Sequence, residues 1–464
     1  MTKRTKTIGL TAAATAVIVI TLLLCVHWPH KKAEWTVLIY MNAADGLDSN
    51  ALCTFAQLAA VDSGPNLNIV VELSRSATSY ASTIIQCGNG ITAPFKNWIG
   101  TRRYLVRGGA DTDSFLPGQD YQNRDVRDAE ELGAFSGWAV RRFPAKHYAF
   151  IFWGHGSASP GTNALLSVTK KKKKKKKQPP WQINKEHQEY DSAFWSIYRD
   201  PQSHLPKLRL DRASSIFQST FGDTGIDLIG FDSCLKGMIE TAYTLHRQAK
   251  IFVASEDAIP SDGWGYRKWL TILKDSPMMS ALQLGQTIHR TYVDTHNTEE
   301  TLTVAQSVID LSKIPDLAQA LDDFVRTTMA DPAWMAKVSE ARKDLNVYGG
   351  MNAIDLMNWL DFYEAQNPSP ASHTAELRLK SSLQQAIASN YRNFLSRSSF
   401  GSNGLSIYFP KTISDYQKDR DCKAYDPSDS GSVPFARDHA WAIFLRRYWK
   451  VDGTPTCEFT TEPI

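Results

Sequence analysis

Apolar runs and polar, periodic stretches alternate along this chain, and the alternation predicts strands and helices in turn. Trp35 to Met41 is apolar enough for a buried strand, and Asp45 to Ala60 reads as a helix with an acidic start. Leu67 to Leu73 and Arg103 to Val106 read as further strands. Asp125 to Arg142 has helical spacing and ends in two arginines, as a helix C-terminus favours. Four more elements follow the strand Tyr148 to Trp153: helix Leu208 to Phe221, strand Ile226 to Phe231, helix Leu235 to Ala249 and strand Ile251 to Ser255. Strands apolar on both faces, separated by helices, imply an α/β fold with a mostly parallel sheet sandwiched by helices. Ligands in such sheets bind beyond the carboxyl ends of the strands.

Past Asn297 the pattern changes. Thr301 to Leu311 predicts a strand, long helical stretches run to about Leu395, and Gly404 to Pro410 predicts a strand stopped by proline. Residues 297–464 therefore read as a mainly helical C-terminal domain behind an α/β domain over 34–296. Within the latter, Ser157 to Pro206 breaks the alternation with Pro179-Pro180 and eight consecutive lysines, Lys170 to Lys177. Charges packed this densely repel and bury no apolar area, so 157–206 reads as an exposed linker.

The N-terminus adds a destination. Lys3, Arg4 and Lys6 precede an uncharged apolar stretch over residues 8–26, so 1–33 reads as a signal peptide or an N-terminal membrane anchor. Leu22-Leu23-Leu24-Cys25 partly matches a lipoprotein box, without the small residue before the cysteine. The expected location is secreted, periplasmic or cell-surface, with membrane attachment through the N-terminus as a variant of the same reading. Export suits the cysteines: apart from Cys25 and Cys234, the six include two local pairs, Cys53 with Cys87 and Cys422 with Cys457. Disulfides and buried thiols both fit these four, since sequence does not fix connectivity.

Length and charge narrow the functional classes. The 464 residues suffice for two or three domains. The formal charge of +4 is misleading, because without the eight-lysine run the rest of the chain stands at −4. No broad basic face accompanies the run and no aromatic stacking pattern goes with it, which argues against nucleic acid as a partner.

The candidate chemistry sits at two predicted strand ends. Gly154-His155-Gly156 follows one strand and Asp232-Ser233-Cys234 follows another. An imidazole that takes the proton of a thiol makes a nucleophile able to attack a carbonyl. The amides of Gly156 and Cys234 are candidates for an oxyanion hole. The bland alternative for each residue is a structural histidine and a core cysteine. No Cys-x-x-Cys or His-Glu-x-x-His string is present to indicate zinc.

These strings, with Trp35 to Asn42, Ala254-Ser255-Glu256, Gly263-Trp264-Gly265-Tyr266 and Gly404 to Pro410 in this order, resemble the clostripain family of cysteine peptidases. The resemblance implies a caspase-like fold, and a dyad of His155 as base with Cys234 as nucleophile that passes through a thioester. It further implies cleavage after arginine or lysine, so the partners are peptides or proteins with a basic P1 residue. A desolvated basic side chain needs a carboxylate. Asp232 matches the family's candidate, Asp262 is a second, and Glu256 and Asp257 are weaker. Asp232 would otherwise cap the helix expected from Leu235. Family members are often activated by self-cleavage between the histidine and cysteine strands, which here points to Lys170 to Lys177. Some respond to calcium, but the pairs Asp45/Asp48 and Asp111/Asp113 lack EF-hand spacing, so no metal or cofactor is expected. A peptide ligase or transpeptidase would share the acylation step. A catalytically silent, surface-anchored binding protein would share the fold.

Overall fold

The computed structural model describes residues 32–43, 47–75, 84–87, 91–94, 98–109, 116, 119–121, 124, 126, 128–156, 209–222, 225–296, 304–343, 345, 352–392, 402–418, 425–426 and 432–450. The N-terminal stretch 8–26, Cys25, the linker with Lys170 to Lys177, Cys422, Cys457, Asp45, Asp111 and Asp113 lie outside the described residues. No helix among the described residues is long and apolar enough to cross a membrane.

Strands are β1 (Ala33–Asn42), β2 (Leu67–Arg75), β3 (Ile84–Cys87), β4 (Ile91–Pro94), β5 (Gly100–Leu105), β6 (Asp120–Tyr121) and β7 (Ala145–Trp153). Then come β8 (Ile226–Asp232), β9 (Ala249–Ala254), β10 (Ala305–Asp310), β11 (Ala353–Asp355), β12 (Ile387–Arg392) and β13 (Ser406–Tyr408). Nine of them form one sheet in the order β12-β10-β9-β8-β7-β1-β2-β5-β6. Its centre, from β2 through β1, β7 and β8 to β9, is parallel, and the strands outside that core run antiparallel. Chain order reverses between β1 and β7, which opens a crevice at their carboxyl ends.

The central strands read as continuous apolar runs because both faces are covered. Leu38, Tyr40, Phe150, Phe152, Ile229 and Phe231 enter one core with helices Ala129–Arg142, Leu210–Phe221 and Ile314–Met329. Val37, Ile39, Ala149, Ile151 and Leu228 enter the other with helices Asp48–Val61, Tyr266–Asp275 and Ala281–His296. The first core is strongly aromatic: Phe152 stacks on Phe231 at 4.8 Å and Phe150 meets Phe217 at 4.9 Å. Such ring pairs add stability beyond the area they bury.

The region past residue 297 is rich in helices, and it also gives β10 and β12 to the main sheet and shares the first core. A disulfide joins Cys53 to Cys87 and ties the β3–β4 hairpin to helix Asp48–Val61. The helix expected over Leu235 to Ala249 is shorter, Ile239–Leu245, because the backbone before it turns onto another segment.

Candidate active site

Sheet register brings the two strand ends together. Trp153 on β7 pairs with Asp232 on β8, and the Gly154 amide donates to the Asp232 carbonyl at 3.2 Å. His155 and Cys234 each stand two residues beyond that pair. Gly156 lies directly on the backbone of Cys234: a Cβ there would sit 2.7 Å from the Cys234 nitrogen and overlap its carbonyl oxygen. Only glycine permits this approach. His155 and Cys234 are both half-buried.

The turn after Cys234 is held from the side. Leu235 has φ 63, a left-handed conformation that a residue with a side chain adopts only under constraint. The constraint is visible: the Leu235 amide donates to the Asp257 carbonyl at 3.1 Å and the Gly237 amide to the Ser255 carbonyl at 2.7 Å. These bonds divert the backbone from the helix that its apolar spacing suggested. Helix Ile239–Leu245 begins behind Met238, so Asp232 does not cap it.

The sulfur of Cys234 accepts a 3.4 Å bond from the Ile259 amide. Burial pushes the thiol up to about 11, with the acidic Asp257 and Asp232 adding to the rise and the Ile259 amide opposing it. In this state the group is a protonated thiol at neutral pH, and it needs a base to become a nucleophile.

The four acidic candidates separate by environment. Asp232 is 3% exposed; its Oδ2 accepts from the Trp264 amide at 3.2 Å and lies 2.6 Å from where a Gly263 Cβ would be. Burial lifts its carboxyl to about 7, against the pull of the Tyr266 hydroxyl and the Trp264 amide. Asp262 is open, its side chain 58% exposed, on the same loop as Ile259. Glu256 and Asp257 are buried; the Glu256 Oε2 accepts from the Gly404 amide at 2.6 Å, and Asp257 bonds the Ala258 amide at 2.7 Å. Burial, then the neighbouring Asp355 carboxyl, raises Glu256 well above its usual range. Both side chains are thus directed into the fold.

Sequence reasoning assigned no role to three residues at this end of the sheet. Tyr266 and Tyr292 are buried beside Asp232, and His296 donates from Nε2 to the Gly263 carbonyl at 2.9 Å. Tyr266 reaches Asp232 through its hydroxyl, His296 reaches the site through a backbone carbonyl, and Tyr292 is brought there by folding at a distance, so no local spacing marks their roles.

As for metals, Glu364, His373 and Glu376 are the acid–histidine cluster within ligating distance among the described residues. The Lys380 ammonium lies 2.7 Å from Glu364 and 2.8 Å from Glu376, supplying the positive charge there. Asp48 is bound by Arg75 at 2.7 Å.

A doubly covered sheet of this strand order, with a histidine and a cysteine at neighbouring strand ends, defines a cysteine peptidase of caspase-like fold. The chain belongs to the clostripain family, whose model matches residues 200–449. It is thus a hydrolase acting on peptide bonds through cysteine. Among solved structures it is similar to a secreted C11 cysteine protease from Bacteroides thetaiotaomicron in complex with an irreversible peptide inhibitor. That match has 17% identity and a TM-score of 0.56, covering 87% of this chain and 99% of the other. A second structure, of a secreted C11 cysteine protease from Bacteroides thetaiotaomicron called iotapain, matches at 15% identity and TM-score 0.54, over 89% and 99%. An inactive zymogen C11 protease from Parabacteroides distasonis matches at 15% identity and TM-score 0.50, over 89% and 99%. At these identities the likeness establishes the fold. No curated protein matches the chain.

Proposed function

We propose that this chain is an exported endopeptidase that cleaves after arginine or lysine, with Cys234 as nucleophile and His155 as base. The observation that carries the reading is the seating of Gly156 on the backbone of Cys234, which sets the histidine loop against the cysteine. The exposed Asp262 lies on the loop whose Ile259 amide reaches the sulfur, so a charge-binding group and the nucleophile share one support.

The chemistry follows from the protonated thiol. His155 takes the proton of Cys234 as the sulfur attacks the scissile carbonyl carbon. The amides of Gly156 and Cys234 receive the developing oxyanion. The tetrahedral intermediate expels the amine, which takes the proton back from His155, and leaves a thioester. Water, deprotonated by His155, then attacks the thioester, releasing the acid and restoring the thiol. The basic P1 side chain meets Asp262, while Asp232 behind Gly263 adds negative field from below. An approaching cation draws the Asp232 carboxyl toward its ionised form, because an opposite charge lowers a carboxyl pKa.

In this reading residues 1–33 direct export, and the enzyme cuts its own linker within Lys170 to Lys177. The test uses the full chain and its Cys234→Ala variant with fluorogenic peptides ending in arginine, lysine, aspartate or leucine. Turnover of the two basic peptides, absent in the variant, is expected. N-terminal sequencing should find the active protein cut in the lysine run and the variant intact. Turnover confined to the aspartyl or leucyl peptide would overturn the P1 assignment. Turnover that survives in the variant would remove Cys234 from the mechanism.

A further inference from the structure

The loop from Ile259 to Gly265, which carries Asp262, is held by contacts from separate elements. Asp232 bonds the Trp264 amide from beneath, and Asn50 donates to the Ser261 carbonyl at 3.0 Å from helix Asp48–Val61. The end of helix Ala281–His296 supplies a third hold. A Cβ on Gly265 would lie 3.1 Å from the Thr295 hydroxyl, and His296 bonds the Gly263 carbonyl at 2.9 Å. Gly263 and Gly265 have φ of 69 and 62, and glycine peptide planes reorient at little steric cost. With these two pivots directly after Asp262, the direction of the loop that carries it depends on bonds made from outside it.

His296 is placed to provide that direction. It is 1% exposed, its ring lies 4.9 Å from Tyr292, and its Nδ1 has no hydrogen-bond partner among the described residues. Its Nε2 faces the Gly263 carbonyl and lies 3.8 Å from the Asp262 carboxylate. A carbonyl oxygen accepts and never donates, so this bond puts the proton on Nε2. One ring nitrogen thus contacts both the backbone pivot and the carboxylate next to it in sequence.

We propose that His296 is a positioning residue for substrate specificity, fixing the Gly263 carbonyl through Nε2–H and so aiming the Asp262 carboxylate at the P1 side chain. This rests on the assignment of Asp262 to P1 recognition made above. A guanidinium binds a carboxylate through a planar two-pronged contact, whereas an ammonium is a point charge tolerant of direction. Precise aim therefore matters more for arginine than for lysine.

The experiment compares the full chain with His296→Leu and His296→Gln on arginyl and lysyl peptides. Leucine removes the donor, and the glutamine amide offers a donor to the same carbonyl. The expected result for His296→Leu is a KM about tenfold higher for arginyl peptides and about threefold higher for lysyl peptides, with kcat nearly unchanged. His296→Gln should restore the arginine preference. Alkylation of Cys234 by iodoacetamide, which does not occupy the P1 site, should proceed at the parental rate in both. Equal losses on both peptides with slowed alkylation would overturn the proposal in favour of a general structural role. Failure of glutamine to outperform leucine would overturn it as well; should the leucine variant not fold, asparagine, too short to reach Gly263, replaces it. Asp262→Asn separates the two levels of argument. If it leaves the arginyl KM unchanged, the P1 assignment falls; if it raises the KM while His296→Leu does not, only the role of His296 falls.

Discussion

Gly156→Ala tests the contact on which the proposed dyad of His155 and Cys234 rests. The added Cβ would stand 2.7 Å from the Cys234 nitrogen and 2.9 Å from its carbonyl carbon, and would overlap the carbonyl oxygen. Non-bonded heavy atoms prefer separations of roughly 3.5–4 Å, so the histidine loop must withdraw by about 1 Å. A displacement of that size between reacting groups costs on the order of a hundredfold in rate, or about 2.7 kcal/mol in the barrier. Overpacking costs about 1–3 kcal/mol of stability, a few degrees of melting temperature in a chain of this size. The assay is kcat/KM on an arginyl peptide beside a thermal melt. Gly64→Ala serves as the control, because a Cβ there meets only the Lys274 Cε at 3.6 Å, an ordinary contact. A Gly156→Ala enzyme within about threefold of the parent kcat/KM would refute the contact as a determinant of catalysis.

Two predictions concern stability. Burial lifts Asp232 and Glu240 to about 7 and Asp257 and Asp355 to about 6, whereas in the unfolded chain such groups lose their protons near pH 4. The folded state then holds more protons between about pH 4 and pH 7, and stability falls as pH rises through that window. The melting temperature should drop from about pH 5 to about pH 7.5, and Glu240→Gln should reduce the drop; a flat or rising profile would sink the argument. The Cys53–Cys87 disulfide spans 34 residues, for which loop-closure entropy gives about 4 kcal/mol. Replacing both cysteines by alanine should lower the melting temperature and expose the β3–β4 hairpin to proteolysis, and an unchanged melt would contradict this.

The sheet and its two chemical ends were legible because central parallel strands are apolar on both faces over most of their length, and His155 and Cys234 follow within two residues of the ends of β7 and β8. That signal puts His155 and Cys234 just past two strand ends, while their roles as base and nucleophile come from the resemblance and stand as a proposal. It fails where backbone bonds overrule side-chain periodicity, as in the turn from Leu235 to Met238, whose amides reach Asp257 and Ser255 rather than a helix. It fails again at β12, an edge strand of half-exposed residues, Ile387–Arg392, that follows helix Pro370–Ala386 without a break. His296 left no trace in the sequence because it contacts Gly263 through a carbonyl that every residue type possesses. The difference between Asp232 and Asp262 was equally hidden, since burial by Gly263 and Trp264 distinguishes them and their spacing from Cys234 does not.

The placement of the linker bears on how a cut within it leaves the site standing. Cleavage at Lys170 to Lys177 would put His155 on one fragment and Cys234 on the other. The Cys234 fragment keeps the supports of its own turn: the Ser406 amide bonds the Gly237 carbonyl at 2.8 Å and the Gly404 amide bonds Glu256 at 2.6 Å. The Tyr408 amide bonds Glu240 at 2.9 Å. Those contacts explain why a strained Leu235 persists, since a sparsely populated conformation endures where its surroundings over-determine it. The two fragments would in turn be joined by the parallel ladder from Ala149 opposite Leu228 to Trp153 opposite Asp232. Phe150 and Phe152 on one side pack against Phe217 and Phe231 on the other. Side chains of this size each bury 150–250 Å² or so of surface, and separating the ladder would expose them to water. The register that opposes His155 to Cys234 is therefore set by the sheet core and does not depend on the continuity of the chain between them.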